Sequence, residues 1–66
     1  ELSEPLSERE RQVLRLLVTH LSQQEMADEL CVSVNTIRFH TKNIYRKLGV
    51  HERSEAVGKA RAAGFL

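Results

Sequence analysis

Four cationic side chains lie between residues 33 and 50, and no carboxylate lies among them. At helical spacing, the apolar residues of this segment fall on one side and a polar, acid-free set falls on another. The apolar set is Val34, Ile37, Thr41, Ile44 and Leu48, and the other set is Asn35, Arg38, Phe39, Lys42 and Arg46. The fourth cation is Lys47. A helix with an apolar back and an acid-free basic front suits a groove lined with phosphates and base edges.

The rest of the chain carries the compensating negative charge. Ten Lys and Arg offset nine Asp and Glu, which gives a net charge of only +1. The acids cluster just before the basic helix and at the start of the chain, at Glu25, Asp28 and Glu29 and at Glu1, Glu4, Glu8 and Glu10. Solvated helix faces usually mix both signs, so we interpret the segregated cations as a binding surface.

Composition and motifs exclude several classes of function. A chain of 66 residues forms one domain, and its single Cys excludes an internal disulfide, which fits a reducing cytoplasm. We expect no membrane span, no small-molecule ligand, no cofactor and no enzyme activity, because no catalytic set or phosphate-binding glycine loop is present. We expect no metal either, since no zinc spacing relates the His and Cys residues. These residues are His20, Cys31, His40 and His51. Residues 1–5 resemble the end of a linker, so we expect a domain at 6–66 of a longer protein.

The first two helices are each predicted by a Ser-x-x-Glu capping box. Ser7 and Glu10 begin the first, which we expect at about 8–18, and Leu6 stands just before it. Ser22 and Glu25 begin a short second helix. The predicted buried residues of the two helices are Val13, Leu14, Leu17, Leu21, Met26, Ala27 and Leu30.

The third and fourth helices follow a tight connection at residues 31–33. Ser33 is the expected N-cap of the third helix, which ends near Leu48, where Gly49 tolerates a positive φ. The fourth helix begins at about 51–54, ends at about 63 and is stopped by Gly64, and residues 65 and 66 fold back or fray. Its inner face is Ala56, Val57 and Ala60. The sequence thus predicts an all-α four-helix bundle, in which the second and third helices have the dimensions of a helix-turn-helix.

Spaced motifs along most of the chain resemble one family. They are Leu6-Ser7-Glu8-Arg9-Glu10, Val13-Leu14, Glu25-Met26-Ala27, Val32-Ser33, Thr36-Ile37-Arg38-Phe39-His40, Ile44-Tyr45-Arg46-Lys47-Leu48-Gly49-Val50, Arg53 and Glu55-Ala56-Val57. Together they resemble the LuxR-type helix-turn-helix domain, also known from NarL/FixJ response regulators, over about residues 6–66. The resemblance implies the double-stranded-DNA-binding output domain of a bacterial transcriptional regulator. It also implies a recognition helix at about 34–48 in the major groove and a fourth helix that pairs in a homodimer.

The resemblance matches Arg38 and Lys42 to positions that enter the major groove, and residue type and position suggest the roles of the others. Base contacts are expected from Arg38, Phe39 and Lys42, and phosphate contacts from Asn35, Thr36, Arg46 and Lys47. Arg38 is the main candidate for base readout, because a guanidinium donates two hydrogen bonds to a guanine edge. Several alternatives stay open. Thr36 could simply cap its own helix, and Lys47 could pair with a carboxylate such as Glu10. Phe39 could tuck toward the second helix instead of meeting a thymine methyl. Lys42 could neutralise a phosphate instead of contacting a base, and Arg38 could be plain solvated surface.

Further expectations concern positions that support this surface. By resemblance, His40 is satisfied by a neighbouring helix, and Arg53 lies where it can pair with Glu10. His20 stands where the family often has Gly, so we expect the connection after the first helix to be reshaped. Tyr45 is expected to pack against the first or fourth helix.

Helix four offers a candidate dimer interface on its outer side. Glu55, Lys59 and Ala62 recur at steps of three and four there, with Gly58 nearby to permit close approach. One rival function is a sigma-factor region, which the continuation from Lys47 to Val57 disfavours. A second rival is a helical protein-interaction module, which would bind an acidic protein tightly and every duplex weakly.

Overall fold

The computed structural model describes residues 5–64, which form four α-helices around one core. The helices are α1 (Glu8–Leu17), α2 (Gln23–Leu30), α3 (Val34–Leu48) and α4 (Arg53–Ala62). No strand occurs in residues 5–64, so the all-α prediction is confirmed. Within the same residues, no helix is long and apolar enough to cross a membrane. The expectation for residues 65 and 66 lies outside the described residues, as does nearly all of the expected linker.

Three serines begin the first three helices, as the sequence predicts. Each serine Oγ accepts a hydrogen bond at 3.1 Å from the backbone N–H three residues later. Glu10 and Glu25 complete the two predicted capping boxes, because their carboxylates accept the N–H of Ser7 and Ser22 at 3.0 and 2.8 Å. These bonds satisfy amide groups that the first turn of a helix otherwise leaves unpaired.

Two left-handed residues end α2 and α3. Gly49 has φ 71°, as predicted, and Cys31 has φ 58°. The conformation at Cys31 was not predicted, and it costs a residue with a side chain about 1–2 kcal/mol. It lets the N–H of Val32 reach back to the carbonyl of Ala27 at 2.9 Å, which closes the turn before α3.

The connection between α1 and α2 needs no left-handed residue at His20. Among residues 5–64, Cys31 is the one non-glycine with positive φ. The Thr19 hydroxyl donates to the Leu16 carbonyl and accepts the N–H of Leu21 at 3.2 Å. The Thr19 side chain therefore stabilises the turn between α1 and α2.

The core lies where α3 meets the other three helices. Its largest fully buried side chains are Val13, Leu14, Met26, Ile37 and Ile44. Ala27, Ala56 and Ala60 have no exposed surface, so α2 and α4 contribute small residues to this core. Val50 is buried as well, and it follows the turn at Gly49.

Arg53 joins α4 to the end of α1, and the predicted ion pair between Arg53 and Glu10 is wrong. The Arg53 Nε donates to the Leu17 carbonyl at 2.7 Å. Its Nη2 donates to the backbone carbonyls of Thr19 at 2.9 Å and Leu16 at 3.4 Å. The last carbonyls of α1 lack partners within their helix and carry partial negative charge, so they attract a guanidinium. Glu10 pairs instead with Lys47.

Candidate nucleic-acid interface

The outward side of α3 is basic, free of acid and solvent-exposed. Asn35, Arg38, Lys42 and Arg46 are exposed, whereas Ile37, Ile44 and Leu48 are buried on the opposite side. We call these four exposed residues and Phe39 the α3 face. The α-helical period thus separates core from surface as the sequence predicts.

Phe39 is the exposed large hydrophobic residue of the α3 face, with 62% of its surface accessible. Its ring packs edge-on against His40, with centroids 5.6 Å apart. The alternative in which Phe39 tucks toward α2 is therefore wrong. An accessible ring beside cations is available for apolar contact with a thymine methyl.

An open cleft of about 430 Å³ borders the α3 face on the side of α2. It is lined by Gln23, Arg38, Thr41, Lys42, Tyr45, Arg46, Val50 and His51. Three of these side chains are cationic and none is acidic, so the cleft favours an anion. Burial raises the pKa of the Tyr45 hydroxyl, and the nearby Arg53 charge only partly opposes this. The neutral phenol can donate a hydrogen bond.

Arg38 contacts the second helix as well as the solvent. Its Nε donates to the Gln23 Oε1 at 3.4 Å, and Gln23 is the first residue of α2. This contact links the two helices of the helix-turn-helix at the side chain that we expect to contact a base.

The first turn of α3 holds Asn35 and Thr36. The Thr36 Oγ1 lies 3.0 Å from the Ser33 Oγ, which also accepts the Thr36 N–H. The capping alternative for Thr36 therefore has a contact in the structure, while its phosphate contact stays a prediction. No acid lies in this turn, so its N–H groups and helix dipole favour an approaching phosphate.

Lys47 has different surroundings from the cations of the α3 face. Its Nζ donates to the Glu10 Oε1 at 2.7 Å and to the Pro5 carbonyl at 3.2 Å. Burial alone would raise the pKa of Glu10, but the hydrogen bonds from Lys47 and Ser7 and the Lys47 charge hold that pKa below its usual value. The alternative in which Lys47 pairs with Glu10 is the arrangement in the structure.

The candidate dimer patch lies on the solvent side of α4. Glu55, Gly58, Lys59 and Ala62 are all exposed, opposite the buried Ala56 and Ala60. Glu55 also has a local role, because its Oε1 accepts the His51 N–H at 2.8 Å. It thereby helps to start α4, whose N-cap Glu52 makes no side-chain capping bond.

Sequence reasoning missed Gln23 and His51 as neighbours of the α3 face. Neither residue type carries a signal in its local sequence, and only the packing of α2 and of the connection after α3 brings them to the cleft. The expectation for His40 is not met at one ring nitrogen. Among residues 5–64, the Nδ1 of His40 and the Oγ1 of Thr41 are buried without a hydrogen-bond partner, so no neighbouring helix satisfies the His40 Nδ1.

The fold contains a helix-turn-helix, with α2 and α3 as its two helices. The family model of GerE, the bacterial regulatory proteins of the luxR family, matches residues 4–60. The chain belongs to this family, and the LuxR-type resemblance in its sequence is confirmed. The family is one of DNA-binding domains of transcriptional regulators and is not a class of enzyme.

Sequence relatives and solved structures agree with this assignment. HTH-type transcriptional regulators named MalT, from Serratia proteamaculans and Yersinia pestis, are 48% identical over 56 residues. That match covers 85% of this chain and 6% of each relative. The response regulator ChrA of a heme-sensing two-component system matches with a TM-score of 0.91 at 35% identity, over 100% of this chain and 33% of ChrA. The transcription factor GerE matches with a TM-score of 0.85 at 38% identity, over 92% and 91% of the two chains.

Proposed function

We propose that the chain reads double-stranded DNA sequence-specifically by placing α3 in the major groove. The observation that carries this proposal is the α3 face, an exposed cationic surface with no acid on a helix whose other side is in the core. A major groove about 12 Å wide admits one α-helix with its side chains.

The proposed base contacts come from Arg38, Phe39 and Lys42. Arg38 donates to a guanine edge, and Phe39 meets a thymine methyl. Lys42 donates to a base or a phosphate from the same cleft. Asn35, Thr36 and Arg46 contact phosphates at the two ends of α3 and set its register on the duplex.

Lys47 is the weakest of the proposed phosphate contacts. Its ammonium is held by Glu10, and both side chains are largely buried, with 12% and 7% exposed. A phosphate contact by Lys47 would require the pair with Glu10 to open, or the Lys47 ammonium to donate to Glu10 and to the phosphate at the same time. We therefore assign Lys47 first to the stability of the fold.

We place this domain at residues 6–66 of a cytoplasmic regulator, with residues 1–5 leading into it. Leu6 is buried in the core, which supports that boundary. The regulator would act on transcription through the DNA site that α3 selects.

We also propose that two copies pair on DNA through α4, so that two recognition helices contact half-sites about 10 bp apart. Support comes from the exposed patch of Glu55, Gly58, Lys59 and Ala62.

Gly58 has open space where a side chain would stand, so Gly58→Glu should fold normally. It should weaken cooperative binding to paired half-sites while leaving single half-site affinity unchanged. Equal cooperativity in both proteins, measured by titration of the two duplexes, would exclude this interface.

The test of sequence-specific binding is a selection from duplexes with a randomised centre. The wild-type chain should enrich one motif, and Arg38→Ala/Lys42→Ala should lose it while keeping its helical circular dichroism. A motif that survives in the double variant would remove α3 from base readout. No enrichment by the wild type, together with tight binding to an acidic protein, would favour the interaction module.

A further inference from the structure

We infer that Gln23 is a positioning residue for Arg38, and that it aims the guanidinium from α2 toward the base. The inference deepens the proposed function and rests on it, because Arg38 is there proposed to contact a base. It assigns part of the sequence preference to a residue outside α3.

The geometry gives Gln23 a fixed location and a defined atom for this task. A guanidinium only donates hydrogen bonds, so the amide atom that faces it must be the oxygen, and the structure has the Gln23 Oε1 at 3.4 Å from the Arg38 Nε. Gln23 follows Ser22 directly, and the capping box of Ser22 and Glu25 holds this turn. In the next turn Met26 and Ala27 are fully buried. The backbone that carries this exposed acceptor is therefore held by the capping box and by the core.

The atom that is bound matters for recognition. Contact at Nε leaves the N–H groups of both Nη atoms of Arg38 for other acceptors, and two donors in a planar fork match the O6 and N7 of guanine. An exposed arginine without such a contact samples many rotamers, and it loses that freedom on binding. An acceptor on α2 restricts the Arg38 rotamers before DNA binds. Less conformational entropy is then lost on binding, and the two Nη groups are held in one direction.

Gln24 provides a matched control, because it is the same residue type one position later. Its Nε2 donates to the Asp28 Oδ1 at 3.0 Å within α2, and it does not line the cleft beside Arg38. Both glutamines are exposed in the first turn of α2. Alanine at either position should leave the helix intact.

The experiment compares Gln23→Ala, Gln24→Ala and Arg38→Ala in the selection from randomised duplexes, followed by anisotropy titrations on the enriched duplex and its single-base variants. The base pair whose preference disappears in Arg38→Ala defines the position that Arg38 contacts. At that position, Gln23→Ala should lower the discrimination roughly 2- to 10-fold, the range of one exposed hydrogen bond. Gln24→Ala should leave it unchanged. In the Arg38→Ala background, Gln23→Ala should have no further effect on discrimination.

Two more measurements separate positioning from a general effect on binding. Gln23 is neutral, so Gln23→Ala should not change the slope of log K against log salt, whereas loss of one phosphate-neutralising cation changes it by about 1. Gln23→Glu keeps an acceptor for Arg38 but adds a negative charge beside the phosphates. It should preserve the base preference while weakening binding to every duplex.

Full discrimination in Gln23→Ala, with a clear loss in Arg38→Ala, would overturn the inference and leave the proposed function standing. Equal losses of base discrimination in Gln23→Ala and Gln24→Ala would overturn the inference too, because the effect would then come from any change in the first turn of α2. If Arg38→Ala itself retains every base preference, the proposed role of Arg38 fails, and the positioning role of Gln23 fails with it.

Discussion

Lys42 and Lys47 are five residues apart in the same helix, and the structure gives them opposite surroundings. Lys42 is exposed in the cleft beside Arg38, whereas Lys47 is held against Glu10 at 2.7 Å. A lysine that faces solvent can neutralise a phosphate, and a lysine that is paired and largely buried contributes first to stability. Within the segment from Ser33 to Val50, we therefore expect Lys42 to contribute to binding and Lys47 to contribute to stability.

Glu10→Gln tests the structural half of this division. Glutamine keeps an acceptor for the capping box but removes the charge that Lys47 meets. Because the pair lies between the exposed and the fully buried cases, we expect the free energy of unfolding to fall by about 1–3 kcal/mol. Urea unfolding at neutral pH, followed by circular dichroism, measures this change.

Glu25→Gln is the matched control for Glu10→Gln. Glu25 completes the same kind of capping box, but it is exposed, and no cation among residues 5–64 is bound to it. Its substitution should change the free energy of unfolding by less than about 0.5 kcal/mol. Similar losses in both variants would show that the pair with Lys47 adds nothing beyond the cap.

The depressed pKa of Glu10 also predicts the direction of a pH dependence. The folded state binds this proton less readily than the unfolded state, so the contribution of Glu10 is complete above the unfolded pKa, about 4.3. It is lost as pH falls through the lower folded value. The stability difference between wild type and Glu10→Gln should therefore be constant near neutral pH and shrink in acid. A difference that grows as pH falls would contradict the assignment.

At the scale of elements, the turns on either side of α3 hold the helix that carries the α3 face. Cys31 and Gly49 both have positive φ, at 58° and 71°, but only Gly49 has it without steric cost. Cys31 is exposed, so its side chain contributes little packing to offset the strain. Both turns should therefore be more stable with glycine than with a larger residue at the left-handed position.

We expect Cys31→Gly to raise the free energy of unfolding by about 0.5–1 kcal/mol, and Gly49→Ala to lower it by about 1–2 kcal/mol. Gly58→Ala serves as the control, because Gly58 lies inside α4 with open space and no positive φ. That substitution should stabilise the chain by up to about 1 kcal/mol. Thermal unfolding of the three variants shows whether each substitution raises or lowers the stability. Destabilisation by Cys31→Gly would show that the Cys31 side chain makes stabilising contacts that outweigh the backbone strain.

Local signals were sufficient to predict most of the helix boundaries. Ser7, Ser22 and Ser33 cap helices through bonds that span only three residues, and Gly49 allows a conformation that few other residues adopt. Cys31 gave no such signal, because cysteine does not favour the left-handed region. Its conformation follows from the short connection that α2 and α3 require.

At the scale of the whole molecule, sequence reasoning failed where distant partners compete. Glu10 had two candidate cations, and the structure brings it Lys47 while Arg53 meets the end of α1. Residue types and spacing do not choose between such partners, because the choice depends on how α3 and α4 cross α1. The same reason explains why Gln23 and His51 were missed beside the α3 face.

Separation of charge is also a property of the whole molecule. The α3 face carries cations without acids, while α2 carries three acids and no cation. A nearly neutral chain with separated charges turns its basic side toward a polyanion. Binding should therefore depend on where the cations lie, not only on how many there are.

The most direct test of this account is anisotropy binding to duplex DNA across a salt series, with cations removed from two different helices. Arg38→Ala/Lys42→Ala and Arg11→Ala/Arg15→Ala each remove two exposed cations spaced four residues apart, from α3 and from α1. The α3 pair should weaken binding more than about tenfold and reduce the salt slope by about 1 for each phosphate that is no longer neutralised. The α1 pair should stay close to wild type. Equal weakening by both pairs would contradict the assignment of the α3 face as the DNA-binding surface.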